Sequence, residues 1–449
     1  MSQFLKAISH GFASKLFLLL ADVAGLLIIF NLVHLVRMGD TIRLSSGPIW
    51  GIVLITVVTL YIMDVYRTEI PITRARLPLQ TFLAVPVAAV LTALFVYALG
   101  VDSFLSIFGR GVMPTAFFLF SLWAASLRWW LTRVNQQYGD KLHWFLLMDT
   151  ALAKRLQDDL DDKLAGDSQY VDIADVPTAL ACFPAGLDVK KNAVIVGDMS
   201  KLDEALVRQI SDLRFRGMRV FSYSAFYERY WSRIPVMQLS KTWFLQASGF
   251  ERIYDQVGLR FQRVLDVLIS FAGMVLLSPL LLLLALMVRL TSPGAAIYKQ
   301  QRVGLNGRLF TLYKFRSMVV DAERDGPVWS QKNDPRVTSF GKFLRATRFD
   351  ELPQLLNIFK GQMSLIGPRP ERPEFVASLR ERIPHYDLRH LVAPGLTGWA
   401  QVMYSYTSSV DEAARKLEYD LYYIKNHSIQ LDFAILIKTV ILVLRRMGR

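Results

Sequence analysis

Apolar residues fall in blocks along this chain, and each block has its own period. Four runs near the N-terminus, Leu16–Val36, Ile49–Val65, Leu79–Leu99 and Val112–Leu131, are almost unbroken. A helix needs roughly 20 apolar residues to cross a bilayer, so these runs predict four membrane helices within residues 1–135. No small-residue cleavage site follows the first run, which reads as a span and not as a cleaved leader. From residue 140 to 250 the blocks shorten. His143–Met148, Asn192–Gly197 and Met218–Tyr223 read as apolar strands and Lys201–Gly217 as a helix, the rhythm of a doubly wound, Rossmann-like α/β domain.

A further apolar run, Val264–Val288, is broken by Ser278-Pro279 near its middle. Proline removes a backbone donor and clashes with the preceding turn, so a helix must kink or break there. The part before Ser278 makes only about 21 Å of helix, short of a hydrocarbon core of roughly 30 Å. A kinked span fits these lengths too. Basic flanks on both sides, Arg260 and Arg263 before and Arg289 and Lys299 after, favour a hairpin that re-enters over residues 264–288. Phe433–Leu444 is short, carries Lys438 and runs into Arg445, Arg446 and Arg449, so residues 431–446 read as a helix lying in the interface. The expected fold is membrane α plus α/β. It has a four-helix transmembrane bundle (1–135), a Rossmann-like middle domain (140–250) and a mixed, mainly helical domain (260–449) with a re-entrant membrane helix hairpin.

Charge sharpens this picture. The 449 residues carry a net +14 although 53% are apolar, which suits a chain held against an anionic surface or handling anionic ligands. Lys6, Lys15, Arg67, Arg74, Arg76, Arg128 and Arg133 flank one side of the four runs, against Arg37, Arg43 and Arg110 on the other. That excess places the N-terminus, and everything after the fourth helix, in the cytoplasm. A single cysteine, Cys182, excludes an internal disulfide framework and agrees with a reducing compartment.

In the middle domain the turn after the first strand reads Met148-Asp-Thr-Ala151, without glycine. A dinucleotide needs glycines there so that backbone N–H groups can approach the pyrophosphate, so neither a nicotinamide nor a flavin is expected. Asp158-Asp-Leu-Asp-Asp162 resembles a metal-binding Asp-x-Asp motif, but it continues the amphipathic pattern of Ala153–Leu164 and reads as a solvated helix face.

The chemistry concentrates further on. From Tyr298 to Asp350 there are 11 Lys and Arg against 5 Asp and Glu. Gln301-Arg-Val-Gly304 and Asn306-Gly307 suggest a hairpin presenting Arg302, and Lys314-Phe-Arg-Ser-Met318 adds Arg316. Lys342, Arg345 and Arg348 approach the acidic pair Asp350-Glu351, and Arg369 sits between two prolines. Adjacent carboxylates among cations suit metal and phosphate chemistry, with the arginines neutralising phosphate charge. A basic face against anionic lipid would explain the charge, but not the interleaved Gly and Pro that fix particular groups. His385 and His390 are five apart, off a common helix face and without a third ligand, and read as polar packing or a lipid headgroup contact.

Residues from about Phe261 onward resemble the bacterial sugar transferases, the monotopic polyprenyl-phosphate hexose-1-phosphate transferases. The resemblance rests on Ser278-Pro279, Gln301-Arg-Val-Gly304, Lys314-Phe-Arg-Ser-Met318, Asp334-Pro-Arg-Val-Thr338, Phe349-Asp-Glu-Leu-Pro-Gln354, Lys360-Gly-Gln-Met-Ser364, Gly367-Pro-Arg-Pro370 and Pro394-Gly-Leu-Thr-Gly-Trp-Ala-Gln401. The four helices and glycine-poor middle domain look like the large members. The resemblance implies transfer of a hexose-1-phosphate from a UDP-hexose, glucose before galactose, to undecaprenyl phosphate with release of UMP. This would be the first membrane step of exopolysaccharide, capsule or O-antigen assembly, at the cytoplasmic face of a bacterial inner membrane.

By the same resemblance Asp350 matches the nucleophile that forms a phosphosugar-aspartyl intermediate, and Glu351 the carboxylate that helps hold Mg2+. Arg345 and Arg369 match phosphate-holding arginines, which Arg302, Arg316 and Arg348 would join. Ser278-Pro279 matches the re-entrant break. A helix through Leu352–Phe359 is expected to start at Asp350 and to favour charge there. Partners implied are the two substrates, the lipid bilayer and a second copy of the chain, with no nucleic acid. Two other readings stay open: a metal-dependent glycosyltransferase that releases UDP, and a non-catalytic membrane scaffold.

Overall fold

The chain divides into two units, residues 1–223 and 224–449. The computed structural model describes residues 11–42, 47–63, 65–66, 76–99, 111–138, 143–163, 167–172, 175–184, 186–189, 191–239, 243–320, 322, 334–404 and 409–444. Lys6, Arg43, Arg67, Arg74 and Arg110, used above to orient the chain, and Arg445, Arg446 and Arg449, used to read the last helix, lie outside the described residues.

Four helices, α1 (Gly11–Met38), α2 (Gly47–Ile62), α3 (Arg76–Leu99) and α4 (Val112–Tyr138), coincide with the four apolar runs. They bury Leu26, Phe30, Ile52, Leu60, Ala88 and Phe120 between them, while Leu20, Ile28, Leu54, Tyr97 and Phe118 face outward. Among the described residues one helix, Ser14–Met38, is by itself long and apolar enough to cross a membrane, and Ile49–Ile62 and Ala84–Tyr97 are shorter apolar helices. A buried polar knot joins α1 to α4. Arg128 donates to both carboxylate oxygens of Asp22 at 2.9 and 2.6 Å, and the Tyr66 hydroxyl donates to the same carboxylate at 2.9 Å.

The rest of this unit is a parallel sheet in the order β2-β1-β3-β4. β1 (His143–Met148), β3 (Asn192–Val196) and β4 (Arg219–Ser222) fall where the apolar stretches predict strands. β2 (Asp167–Asp172) is too polar to show that pattern. α5 (Thr150–Lys163) carries the acidic run, so its helical reading agrees with the structure. After the short α6 (Val176–Ala181), α7 (Glu204–Phe215) starts where the Asp203 carboxylate accepts from the Ala205 N–H at 2.9 Å. At the crevice between β1 and β3, Asp149 pairs with Lys201 at 3.0 Å. A side chain at Gly197 would meet Met148 at 2.6 Å, so backbone and side chain close that crevice.

The second unit begins at Ser224, so residues 224–250, placed by the sequence in the middle domain, pack elsewhere. α8 (Tyr223–Trp231) leads into Ser232, whose carbonyl accepts from the Trp399 indole at 2.9 Å. Arg233, 2% exposed, pairs with Glu418, and Ile234 and Val236 join the main core with Leu379, Ile383, Leu417 and Leu421. Burying each such aliphatic side chain stabilises by roughly 1.5–3 kcal/mol, which ties this stretch to the unit that follows it.

α9 (Gln256–Leu276) and α10 (Ser278–Thr291) meet at a bend of 64°. Pro279 opens the second helix, and the Ser278 hydroxyl donates to the Val275 carbonyl at 2.8 Å, taking one of the acceptors the break frees. One face of α9 is polar. Arg263 caps the Ile358 and Phe359 carbonyls at 2.6 Å each, and Asp266 accepts from the Leu365 N–H at 2.9 Å. The opposite face leaves Phe261, Val264, Leu268 and Phe271 exposed.

β5 (Ile297–Val303) and β6 (Leu309–Phe315) form the expected antiparallel hairpin, with Asn306 and Gly307 both at positive φ in its turn. α11 (Ser339–Thr347) follows, then a 3-10 segment Phe349–Gln354 and α12 (Leu355–Phe359). A two-stranded parallel pair, β7 (Ser364–Ile366) and β8 (Gly395–Thr397), brackets α13 (Pro373–Arg382) and a 3-10 segment Tyr386–Leu391. The chain closes with α14 (Trp399–Met403), α15 (Val410–Lys425) and α16 (Ile429–Leu444). The last of these is the helix expected at 431–446.

Candidate active site

Asp350 and Glu351 owe their position to a sharp stop. α11 begins at Thr338, whose hydroxyl accepts from the Gly341 N–H at 2.9 Å, and only glycine fits at 341 because a Cβ there would collide with the Ser317 carbonyl. The helix ends at Arg348, which adopts a left-handed conformation (φ 60°), and the chain turns inward. Both carboxylates are therefore 8% exposed. The helix expected over 352–359 starts only at Leu355 and is five residues long, because Pro353 and the left-handed Arg348 keep the preceding turn in 3-10 form. A helix dipole has too few residues here to matter. The cations supply the field instead.

Glu351 is the focus of three of them. Arg369 reaches its Oε1 at 2.5 Å, and Lys314 and Arg348 each stand 3.7 Å away. Arg369 also donates to the Gln401 side chain at 3.1 Å. Arg345 is oriented by the Ser317 hydroxyl, to which its Nε donates at 3.0 Å. Asp350 differs: its Oδ1 is buried and has no hydrogen-bond partner. An unmade bond on a buried oxygen costs stability, and sites of this kind are where ligands or ions complete a structure.

The charge states follow from this geometry. Burial and the Glu351 charge push the Asp350 carboxyl up to about 6. Burial alone would also raise Glu351, but Arg369, Lys314 and Arg348 outweigh it and hold that carboxyl well below the usual range. Burial and the Arg369 charge pull Lys314 down to about 8, against the attraction of Glu351. The two neighbouring acids thus have their affinities for protons pushed apart, a mark of functional sites.

A cavity of about 330 Å³ opens beside the pair. Arg302, Arg316, Arg345, Arg348 and Arg369, the candidate cations from sequence, all line it, together with Lys314. They are not equivalent. Arg302 spends its donors on Gln300 (2.6 and 3.1 Å) and on the Pro370 carbonyl (3.0 Å), and Arg316 donates to the Ser292 carbonyl at 2.7 Å. Arg345, Arg348 and Arg369 lie next to the carboxylates in space, so they can serve a phosphate most directly. Ser278 and Pro279 sit at the helix bend and are not among the lining residues.

Sequence reasoning passed over Lys314, Ser317 and Gln401 as individual residues. Lys314 had a signal, a lysine inside the otherwise apolar Leu309–Phe315 strand; Gln401 had none. His385 packs its ring on Phe244, and His390 is buried with its Nδ1 3.6 Å from Asp387. Among the described residues no three of His, Cys, Asp and Glu converge on a point. Mg2+ does not need three, since it takes one or two carboxylates and completes its shell with water and phosphate oxygens. The unpartnered Asp350 oxygen beside Glu351 fits that requirement.

Comparison with known proteins agrees with this geometry. Residues 257–446 match the family described as bacterial sugar transferase. A UDP-N-acetylgalactosamine-undecaprenyl-phosphate N-acetylgalactosaminephosphotransferase of Aeromonas hydrophila is 46% identical over 187 residues, 42% of this chain and 44% of that one. A UDP-glucose:undecaprenyl-phosphate glucose-1-phosphate transferase of Klebsiella pneumoniae is 42% identical over 193 residues, 42% of each chain. The exopolysaccharide production protein PSS of Rhizobium leguminosarum bv. phaseoli is 40% identical over 194 residues, 42% of this chain and 97% of that relative. The chain thus spans under half the length of the first two of these relatives.

Proposed function

The chain belongs to the bacterial sugar transferase family, and from that premise we propose that it transfers a hexose-1-phosphate from a UDP-hexose to undecaprenyl phosphate and releases UMP. The observation that carries this reading is the Asp350 carboxylate, buried with one oxygen unpartnered, at the wall of a cavity lined by cations. In the first step a carboxylate oxygen of Asp350 attacks the phosphorus bonded to the sugar. The bond from that phosphorus to the bridging oxygen breaks, and its electron pair leaves with UMP. In the second step a phosphate oxygen of undecaprenyl phosphate attacks the same phosphorus. The aspartyl–phosphorus bond breaks, the carboxylate is restored, and the lipid carries a sugar diphosphate.

A carboxylate is a poor nucleophile towards a dianionic diphosphate unless nearby cations cancel the repulsion. Arg345, Arg348 and Arg369 do so here, with Lys314 holding the Glu351 charge in place. Asp350 and Glu351 would hold Mg2+, whose chemistry there is to neutralise the leaving phosphate. Burial and the Glu351 charge push the Asp350 carboxyl up to about 6, which suits a nucleophile that must be both charged at neutral pH and basic enough to react. The relatives of Aeromonas and Klebsiella are named for a UDP-sugar and undecaprenyl phosphate. Their difference in sugar leaves glucose, favoured over galactose on resemblance, as the hexose to try first.

The bilayer surroundings are part of the same proposal. Helices α1–α4 would span the inner membrane as a bundle, and α9–α10 would enter and leave from the cytoplasmic face. The polar face of α9 on β7 and α12, and its exposed apolar face, support that placement. In a Cys182→Ser background, single cysteines at positions 252 and 309 should both react with an impermeant reagent from the cytoplasmic side. Labelling of 309 from outside only would rule the hairpin out. The reaction itself is tested by incubating purified protein with UDP-glucose, UDP-galactose or their N-acetyl forms and undecaprenyl phosphate. UMP as the nucleotide product supports phosphosugar transfer; UDP would mean glycosyl transfer, and neither would leave a scaffold.

A further inference from the structure

A backbone flanked by two prolines can be held in few ways. Pro368 and Pro370 have no N–H group, so the segment that carries Arg369 is anchored mainly through its carbonyls. Each of these has a donor. The Pro368 carbonyl accepts from the Gly395 N–H at 2.8 Å and the Glu371 carbonyl from the Val303 N–H at 2.9 Å. The Pro370 carbonyl accepts from Arg302 at 3.0 Å, and the Arg369 carbonyl from Arg389 Nη2 at 2.9 Å.

Arg389 stands outside the substrate cavity and is 5% exposed. It is held on two further sides. Its Nη2 also donates to Asp420 at 2.9 Å, and its Nη1 to the Tyr386 hydroxyl at 2.6 Å. Asp420, in the middle of α15, is 1% exposed. A buried ion pair is weak evidence for stability, because apolar residues of similar volume often serve as well. This one ends on the main chain of Arg369, whose side chain grips Glu351. The space behind that main chain is a cavity of about 10 Å³, lined by Pro368, Pro370, Arg389 and His390 and no larger than one water.

We propose that Arg389, oriented by Asp420, is a positioning residue for the transfer. It fixes the Arg369 backbone from the side away from substrate and so sets where the Arg369 guanidinium meets Glu351. This rests on the reaction proposed above. Displacement of such a group by about 1 Å can cost on the order of a hundredfold in rate.

The full-length protein in lipid, assayed for UMP release, tests this with four variants. Arg389→Met combined with Asp420→Leu removes both charges and leaves no unpaired buried charge, only the Arg369 carbonyl and the Tyr386 hydroxyl without their donor. It should keep its melting temperature within a few degrees while kcat falls on the order of ten- to hundredfold. Arg389→Lys keeps the charge but not the fork, and should lower kcat in the same direction if the apolar pair proves unstable. Arg369→Lys alone should lower kcat, and adding Arg389→Lys to it should have little further effect, because both act through one guanidinium. Full additivity, or wild-type kcat in folded Arg389 variants, overturns the proposal. A lower melting temperature with unchanged turnover per folded molecule makes the pair structural and also overturns it. A wild-type chain that releases no UMP overturns the reaction and this inference together, whereas turnover indifferent to Arg389 overturns this inference alone.

Discussion

Asp22 and Arg128 in the first unit are each 1% exposed, and Asp350 and Glu351 in the second are each 8% exposed. Both clusters take charge out of water, yet they are built on opposite balances. Asp22 meets one guanidinium and one hydroxyl, and both of its oxygens are bonded. Asp350 and Glu351 stand among Lys314, Arg345, Arg348 and Arg369, with one oxygen left unbonded. In the first arrangement both carboxylate oxygens are satisfied, only the Arg128 Nε lacks a partner, and Asp22 and Arg128 line no cavity described above. The second has cations in excess of carboxylates beside a cavity, and an anion with several oxygens would complete it. Burial of charge alone does not mark a functional site; an open balance does.

The contrast can be broken most sharply at Asp350. Asp350→Asn should cut turnover by at least about a thousandfold, because the attacking charge is gone. Its melting temperature should stay level or rise. The folded carboxyl takes protons more readily than the unfolded one, so any stability linked to it is complete below the unfolded value and is lost as pH rises through about 6. At neutral pH the ionised aspartate therefore opposes folding, and asparagine relieves that. A thermal melt beside a UMP assay reads both effects.

Glu351→Gln should lower turnover less, on the order of ten- to a hundredfold, and should lower the melting temperature. Here the sign reverses. The folded carboxyl is depressed by Arg369, Lys314 and Arg348, so its stabilisation is present above the unfolded value and is lost only in strong acid. The glutamine variant forfeits it throughout the neutral range. Opposite shifts in melting temperature for two adjacent residues would sharpen the comparison; matching shifts would blunt it.

The pH profile should be bell-shaped. Turnover rises as Asp350 ionises near pH 6 and falls as Lys314 loses its proton near pH 8. Lys314→Arg keeps its charge further into the alkaline range, so that limb should move upward while the acid limb stays. An alkaline limb unmoved in this variant would remove Lys314 from the account. The smallest effect on turnover is expected in the closed cluster. Asp22→Asn should change turnover per folded molecule by less than about twofold, while the unpaired Arg128 costs about 3–5 kcal/mol of stability.

Much of this was legible in the sequence, and the misses share a cause. Long apolar runs located α1–α4, and short apolar runs located β1, β3 and β4, because local pattern and burial agree there. β2 has no such pattern, since its strand character comes from pairing to β1. Ser278-Pro279 marked the helix bend because proline acts locally. The boundary at Ser224 was invisible, because Arg233 and Ile234 are fixed by Glu418, 185 residues away along the chain in the case of the Arg233 bond. The acidic pair and its arginines were readable as residue types. Their division of labour was not, since Arg302 and Arg369 look alike until their partners on Pro370 and Glu351 are known. A chain beginning at Ser224 should accordingly fold better than one beginning at Tyr254, which would lose the Arg233–Glu418 and Ser232–Trp399 bonds.

The central claim is that Asp350 carries the phosphosugar. Protein incubated with a UDP-hexose radiolabelled at the sugar-proximal phosphate, without lipid acceptor, is quenched and digested with trypsin. The account predicts label and the mass of one hexose phosphate on the Phe349–Lys360 peptide, absent from Asp350→Asn and discharged when undecaprenyl phosphate is added. Steady UMP release with no labelled peptide, or label that undecaprenyl phosphate does not discharge, would contradict it.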